Sequence, residues 1–360
     1  MTTKKSKIIV APLNWGLGHA SRCVPIINAL LDNNYTPIIA SDGISLQFLQ
    51  QEFPHLESLE LPSYQITYSK NLKLKLVFQL PKIWNTFKSE KKAIKEYIDI
   101  NNDVVGIISD NRFGVFNPTI PSVYITHQVN VLSRFTTFLT SFIHQKIIKK
   151  FDECWVPDNS KSEFSGKLSI TNKNINLKYI GVLSRFKKQE IKKEIDVLVL
   201  LSGPEPNRTL LEKKLISTFK NDERSIVFVL GKVEKHQKKW KEKNCIFYNY
   251  VLSEQLEKII NSCKIVVCRS GYSSIMDLAV LQKKVFFIPT KYQSEQEYLA
   301  QYLELSKTAP FSNIESFSKE KLEKIKNYKG LEANETQIDT SLFGLFECKR
   351  KLWTFTKSTF

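Results

Sequence analysis

Lys264-Ile-Val-Val-Cys268 runs into Arg269-Ser270-Gly271-Tyr272-Ser273-Ser-Ile-Met-Asp277, so that an apolar strand pattern ends in a glycine turn and opens a helical one. A helix that starts this way presents unpaired backbone N–H groups and the positive end of its dipole, which favours a bound phosphate. Arg269, Ser270, Gly271 and Ser273 are the candidates for that seat. Asp277 stands about two turns further on, where a carboxylate suits vicinal hydroxyls, as the acidic residue of a nucleotide site suits ribose. Beyond the next apolar run, Val285-Phe-Phe-Ile-Pro289, lie Gln293, Gln296 and Glu297, whose amides and carboxylate suit a sugar ring. Phosphate seat, ribose acceptor and sugar contacts in this order predict a nucleotide-sugar site. The plainer reading of the same residues is a β-α-β unit whose glycine merely turns the chain.

The segment from Lys264 to Ala300 resembles the donor half of the GT-B glycosyltransferases of family 28, which includes the N-acetylglucosaminyltransferase of peptidoglycan-precursor synthesis. The resemblance implies two Rossmann-like domains facing a central cleft, a UDP-sugar donor in the second domain and an acceptor in the first. It also implies a lipid-linked acceptor class.

Working outward, strand-like runs alternate with helical patterns along the chain, the signature of doubly wound parallel α/β sheets. The runs are Ser6–Leu13, Thr36–Ser41, Val104–Asp110, Ser122–His127 and Cys154–Pro157, then Ile195–Ser202, Ser225–Leu230, Cys245–Tyr250, Ile265–Arg269 and Val285–Pro289. At 360 residues, two domains are expected. The extended run Gly181–Phe186 gives way to the polar stretch Lys187–Glu194, which places the boundary so that 1–183 is the acceptor domain and 184–340 the donor domain. The tail, 341–360, is apolar and basic, with Phe343, Leu345, Phe346, Leu352, Trp353 and Phe355. By the resemblance it crosses back to the first domain.

Three loops carry the remaining candidates. Pro12-Leu-Asn14-Trp-Gly16-Leu-Gly18-His19-Ala-Ser-Arg22 follows the first strand and opens the first helix, but it lacks the third glycine of a dinucleotide fingerprint. It resembles the glycine-histidine loop of family 28. A histidine at a helix N-terminus is disfavoured as a cation, so His19 is available as a neutral base; the plainer reading is a histidine bonded to a nearby carbonyl. Ser109-Asp110-Asn111-Arg112 ends a strand on the usual ligand side of an open sheet. Asp110 either orients His19 or pairs with Arg112 to shape the loop. By the resemblance His127 and Gln128 face the acceptor, together with Asn14, Gly18, Arg22, Asn111 and Arg112. In the second half, Ser202-Gly203-Pro204-Glu205-Pro206-Asn207-Arg208 aligns with a glycine-serine loop lying under the pyrophosphate in that family. Its two prolines remove N–H donors, so Arg208 is expected to compensate as a forked clamp.

These parts predict an inverting, metal-independent transfer of a hexosyl or N-acetylhexosaminyl group from a UDP-sugar, without a cofactor. No Asp-x-Asp ends a strand. A nucleotide-sugar hydrolase or 2-epimerase would use the same fold and donor site, and a cationic binder of membrane or nucleic acid is the non-enzymatic alternative.

Composition narrows the choice. A hydrophobic fraction of 42% and a charged fraction of 25% are those of a folded globular protein. The net charge of +17 fits phosphorylated substrates, an anionic membrane or nucleic acid, yet no nucleic-acid-binding motif accompanies it. Leu72–Trp84 and Phe135–Phe151 mix aromatics with lysine, as interfacial helices do and as core-facing helices with lysine rims also do. No run has the length of a membrane span and no signal-peptide pattern precedes the first strand, so a cytoplasmic protein, at the inner face of a membrane if its acceptor is lipid-linked, is expected. Six scattered cysteines (23, 154, 245, 263, 268 and 348) predict buried thiols.

Overall fold

The computed structural model describes residues 5–64, 72–132, 137–171, 174–334 and 336–347, with the backbone alone for 72–80. The first sheet comprises β1 (Lys7–Pro12), β2 (Thr36–Ser41), β3 (Ser58–Glu60), β4 (Val104–Asp110), β5 (Ser122–Ile125), β6 (Glu153–Val156) and β7 (Leu177–Tyr179). They lie in the order β3-β2-β1-β4-β5-β6-β7, every pair parallel. Helices α1 (Leu17–Asp32), α2 (Gly43–Glu52), α3 (Leu72–Ile100) and α4 (Thr137–Ile148) belong to this half. Ile8, Ile9, Val10 and Ala11 are all fully buried. A strand covered on both faces needs such a continuous apolar run, and this is why β1 does not alternate.

The second sheet holds β8 (Ile195–Leu200), β9 (Ile226–Val229), β10 (Lys239–Glu242), β11 (Cys245–Tyr248), β12 (Cys263–Cys268) and β13 (Lys284–Phe287), ordered β10-β11-β9-β8-β12-β13. Only β10 runs antiparallel. The helices here are α5 (Asn207–Phe219), α6 (Ser253–Asn261), α7 (Tyr272–Val280) and α8 (Ser294–Leu305). The two α/β sheets match the doubly wound expectation. Three strands, β3, β7 and β10, escaped the sequence reading, and all are short sheet edges.

Strand order locates the ligand crevices. In each sheet the order reverses at one point, between β1 and β4 in the first and between β8 and β12 in the second, and loops leaving the carboxyl ends on either side of such a point frame a crevice. Pro12 stands beside Asp110 in the first register and Leu200 beside Cys268 in the second. The loops that follow these residues carry His19, Asn111, Gly203 and Gly271.

The last described residues return to the first sheet. Phe343 packs edge-on to Tyr35 with ring centres 6.1 Å apart, and Phe346 meets Trp155 at 6.5 Å. Gly106 of β4 has no side chain because the Phe346 ring occupies the space a Cβ would need. Leu352, Trp353 and Phe355 lie outside the described residues, as do Phe135, Cys348 and the side chains of the first part of Leu72–Trp84. The other five cysteines are free and buried. Among the described residues no helix is long and apolar enough to cross a membrane.

Candidate active site

Gly16, at φ +81°, makes the turn from β1 into α1. One residue past Gly18, the His19 Nδ1 lies 2.9 Å from the Asp110 Oδ1. Arg22 Nη2 lies 2.9 Å from the same nitrogen, so Nδ1 faces both a donor and an acceptor. With its proton given to the carboxylate, which only accepts, the lone pair is on Nε2, for which no described residue is a partner, whereas an unprotonated Nδ1 would accept from the guanidinium. Asp110 is fully buried and does not pair with Arg112; it is gripped by Arg22, whose Nε donates to Oδ2 at 2.5 Å and whose Nη2 donates to Oδ1. Burial alone would raise the Asp110 carboxyl, but the Arg22 and His19 charges beside it hold it well below the usual carboxylate range. The result is a fixed anion behind an imidazole whose other nitrogen is open. Arg22, expected at the acceptor, is itself buried and serves Asp110.

His127, expected at the acceptor, has both ring nitrogens taken by side chains of this protein. Its Nδ1 accepts from the Arg22 Nη1 at 3.1 Å and its Nε2 donates to Glu295 Oε1 at 2.8 Å, while its ring stacks on Tyr272. Glu295 and Tyr272 belong to the second half of the chain, so His127 is a bridge between the two sheets. Arg112 is a core residue: its guanidinium donates to Glu90 at 2.7 Å, Asp42 at 2.6 Å and the Pro62 carbonyl at 2.7 Å, with no exposed surface. Asn14 is held by Asp42 at 2.9 Å, and Asn111, at φ +58°, by Tyr124 at 3.1 Å. Gln128 is half-buried with its side-chain amide unbonded among the described residues.

Across the crevice, α7 starts at Gly271 with no side-chain cap, leaving its first N–H groups open, and a Cβ on Gly271 or on Gly203 would meet nothing within 4 Å. Gly203, at φ +100°, faces the first domain, where a Cβ on Gly16 would stand 3.8 Å from the Gly203 Cα. Ser273, in the first turn of α7, donates to the Gly18 carbonyl at 2.8 Å. The open N-terminus of α7 therefore adjoins the residue before His19. Ser202 is half-buried and Gln293 half-buried at the start of α8, both side chains without a partner among the described residues.

Asp277 accepts from the Ser184 hydroxyl at 2.7 Å, and burial, partly offset by Arg185, raises its carboxyl to about 6. Arg185 is a functional candidate the sequence reading missed. Its guanidinium lies over Phe48 and Phe186, and its Nε and Nη1 have no partner among the described residues. A buried cation with open donors beside Asp277, between the two halves, is suited to a nucleotide.

Five of the expected donor-side groups are committed to partners within the chain. Arg208 is not free to clamp a diphosphate, because Glu205, Glu212 at 2.5 Å, the Thr209 hydroxyl at 2.7 Å and the Leu230 carbonyl take its N–H groups. Arg269 donates to the carbonyls of Ile288, Pro289 and Asn207, each at 3.0 Å, and burial lowers it to about 10. Ser270 donates to the Gln296 carbonyl at 2.8 Å, and the Gln296 side chain accepts from Thr290 N at 2.9 Å. Glu297 accepts from Tyr292 N at 2.8 Å. These groups build the loops that frame the site. Arg269 still contributes its charge, since no described carboxylate pairs with it.

Residues 204–337 match the glycosyltransferase family 28 C-terminal domain. The second half of the chain thus carries a glycosyltransferase family 28 C-terminal domain. Solved structures agree over nearly its whole length: the kitacinnamycin glycosyltransferase (TM-score 0.62, 11% identity, 97% of this chain and 94% of that one). Arabidopsis thaliana UGT89C1, complexed with UDP-L-rhamnose, matches with TM-score 0.59, 13% identity and coverage of 97% and 94%. MurG of Acinetobacter baumannii matches with TM-score 0.52, 12% identity and coverage of 90% of each chain. At these identities the likeness establishes the fold of the glycosyltransferase. No curated protein sequence matches the chain.

Proposed function

We propose that this glycosyltransferase moves a hexosyl group from a UDP-sugar to an acceptor hydroxyl with inversion, His19 acting as base. One observation carries the reading: the His19–Asp110 pair, its Nε2 open, stands one residue from the Gly18 carbonyl that Ser273 of the uncapped α7 touches. Base and phosphate seat are therefore neighbours. The acceptor oxygen attacks the anomeric carbon as its proton passes to Nε2, and the bond to the diphosphate breaks with its electrons going to the leaving group. Asp110 stabilises the imidazolium that forms, as an acid partner does in other histidine-dependent sites. The α7 N-terminus and the Arg269 charge stabilise the departing diphosphate. Among the described residues no three His, Cys, Asp or Glu side chains converge as a metal-ligand group.

Ser202, Gly203, Gly271, Arg185, Asp277 and Gln293 form the proposed donor pocket, with Asp277 and Arg185 at the nucleoside and Gln293 at the sugar. The acceptor is proposed to be amphiphilic and presented at an anionic membrane. What supports this is α4, where Leu139 and Ile143 are 57% and 50% exposed in a helix that carries Lys146 and is followed at once by Lys149 and Lys150. The test is transfer of labelled sugar from a panel of UDP-sugars. Label entering an organic phase with added lipid acceptor supports the reading. Release of free sugar alone makes the enzyme a hydrolase, and no turnover or UDP affinity with any donor refutes it.

A further inference from the structure

A second cationic concavity lies on the second sheet, at the opposite edge from the cleft. Lys264 is the second residue of β12, Lys284 opens β13 and Asn261 ends α6, whereas the cleft loops leave the other ends of these strands. A pocket of about 390 Å³ there is lined by Lys188, Lys193, Lys283, Asn261, Gln282 and Glu190, among others.

Two lysines serve a single acceptor. Lys193 Nζ donates to the Asn261 carbonyl at 2.5 Å and Lys283 Nζ donates to the same oxygen at 3.1 Å and to the Cys263 carbonyl at 3.1 Å. Lys188 Nζ reaches Gln282 Oε1 at 2.7 Å. The carbonyl end of a helix attracts one ammonium, but it does not require three converging ones. The neighbouring lysines are already committed, Lys264 to Asp196 at 2.7 Å and Lys284 to the Tyr328 carbonyl. By contrast Lys188, Lys193 and Lys283 have no carboxylate partner among the described residues, and Glu190, the one carboxylate lining the pocket, is exposed and pairs with none of them.

We propose that this lysine pocket is an anion site for a small phosphorylated ligand, separate from the sugar-transfer cleft. Lys283 is only 4% exposed, and each ammonium keeps at least one donor for a phosphate oxygen. Burial first, then the charges of Lys193 and Lys188, lower Lys283 to about 8, so an anion would relieve both a desolvated cation and a like-charge cluster.

The proposal does not rest on the transfer chemistry. Calorimetry with inorganic pyrophosphate at constant ionic strength should give saturable binding to the wild-type chain. Binding should weaken at least about tenfold in the K188A/K193A double variant, whose replaced side chains are exposed, so that the fold is not at stake. Pyrophosphate should also protect Lys188 and Lys193 from acylation while leaving the exposed Lys213 reactive. Absence of saturable binding, or equal affinity in the double variant, overturns the site. With the site present, competition by phosphatidate vesicles would assign the phosphate to a lipid headgroup, and its absence to a soluble ester.

Discussion

The His127 imidazole lies flat on the Tyr272 phenol, ring centres 4.0 Å apart and planes 4° from parallel. His127 leaves the carboxyl end of β5 and Tyr272 opens α7, so the stack joins the first sheet's half of the chain to the second's. With the Glu295 bond it latches the cleft. His127→Ala should cost roughly 2 to 4 kcal/mol of stability, from a broken buried hydrogen bond and a lost stack, measured by denaturant unfolding. Burial holds His127 below its ordinary value and takes His144, also buried, down to about 4. Both are neutral in the folded state, so the stability they contribute is complete above about pH 6.5 and is lost as pH falls towards 4. A variant as stable as wild type, with the same acid profile, would show that the latch holds nothing.

His19 and Asp110 are expected to separate by readout. His19→Gln should slow transfer at least about 100-fold with UDP affinity unchanged, because a base acts in the transition state rather than in binding. Asp110→Asn should slow transfer and also lower the melting temperature, since it leaves buried Arg22 without its counter-charge. If His19→Gln transfers at near wild-type rate, His19 is not the base.

How far the sequence led can be argued from single residues. β1, β4, β8 and β12 announce themselves as unbroken apolar runs because both faces of a parallel sheet are covered, and the loops after them were therefore findable. β10, Lys239-Trp-Lys-Glu242, is exposed along its length and three of its four residues are charged, for an edge strand needs no apolar pattern. Most side-chain partners were not legible. Arg112, Arg208 and Arg269 looked alike as cations near glycine turns, yet Glu90, distant in sequence, claims Arg112 and backbone carbonyls claim Arg269. Only the partners of Arg208, Glu205 and Glu212 at i−3 and i+4, lie at a spacing the sequence shows. Arg185 and Glu295 gave no motif signal at all, and only the meeting of the two halves marks them.

The arginines make a paired prediction. Arg185→Ala should weaken UDP affinity by roughly 1.5 to 3 kcal/mol, the worth of a hydrogen bond to a charged group. Arg208→Ala should destabilise the fold, because Glu205 and Glu212 lose their shared cation, while leaving UDP affinity within about twofold once folded protein is counted. Isothermal titration beside thermal unfolding checks both, and a large affinity loss in Arg208→Ala would restore it as a diphosphate clamp.

Asp277 supplies a pH test of the donor pocket. Its carboxyl is raised to about 6, and vicinal hydroxyls are bound by the carboxylate rather than the acid. If only the ionised form binds, apparent affinity for a UDP-sugar should strengthen about tenfold between pH 5 and pH 7, the change expected for one group titrating near 6. The UDP-sugar is the right probe, for its diphosphate is esterified at both ends and carries no proton of its own near pH 6. The same shift contributes stability in the opposite sense to His127: it is present below about pH 4 and lost as pH rises through about 6. Asp277→Asn should therefore flatten the affinity profile and bind at pH 7 at least as weakly as wild type does at pH 5. A profile that keeps its slope in the asparagine variant would place the titrating group elsewhere and remove Asp277 from the ribose.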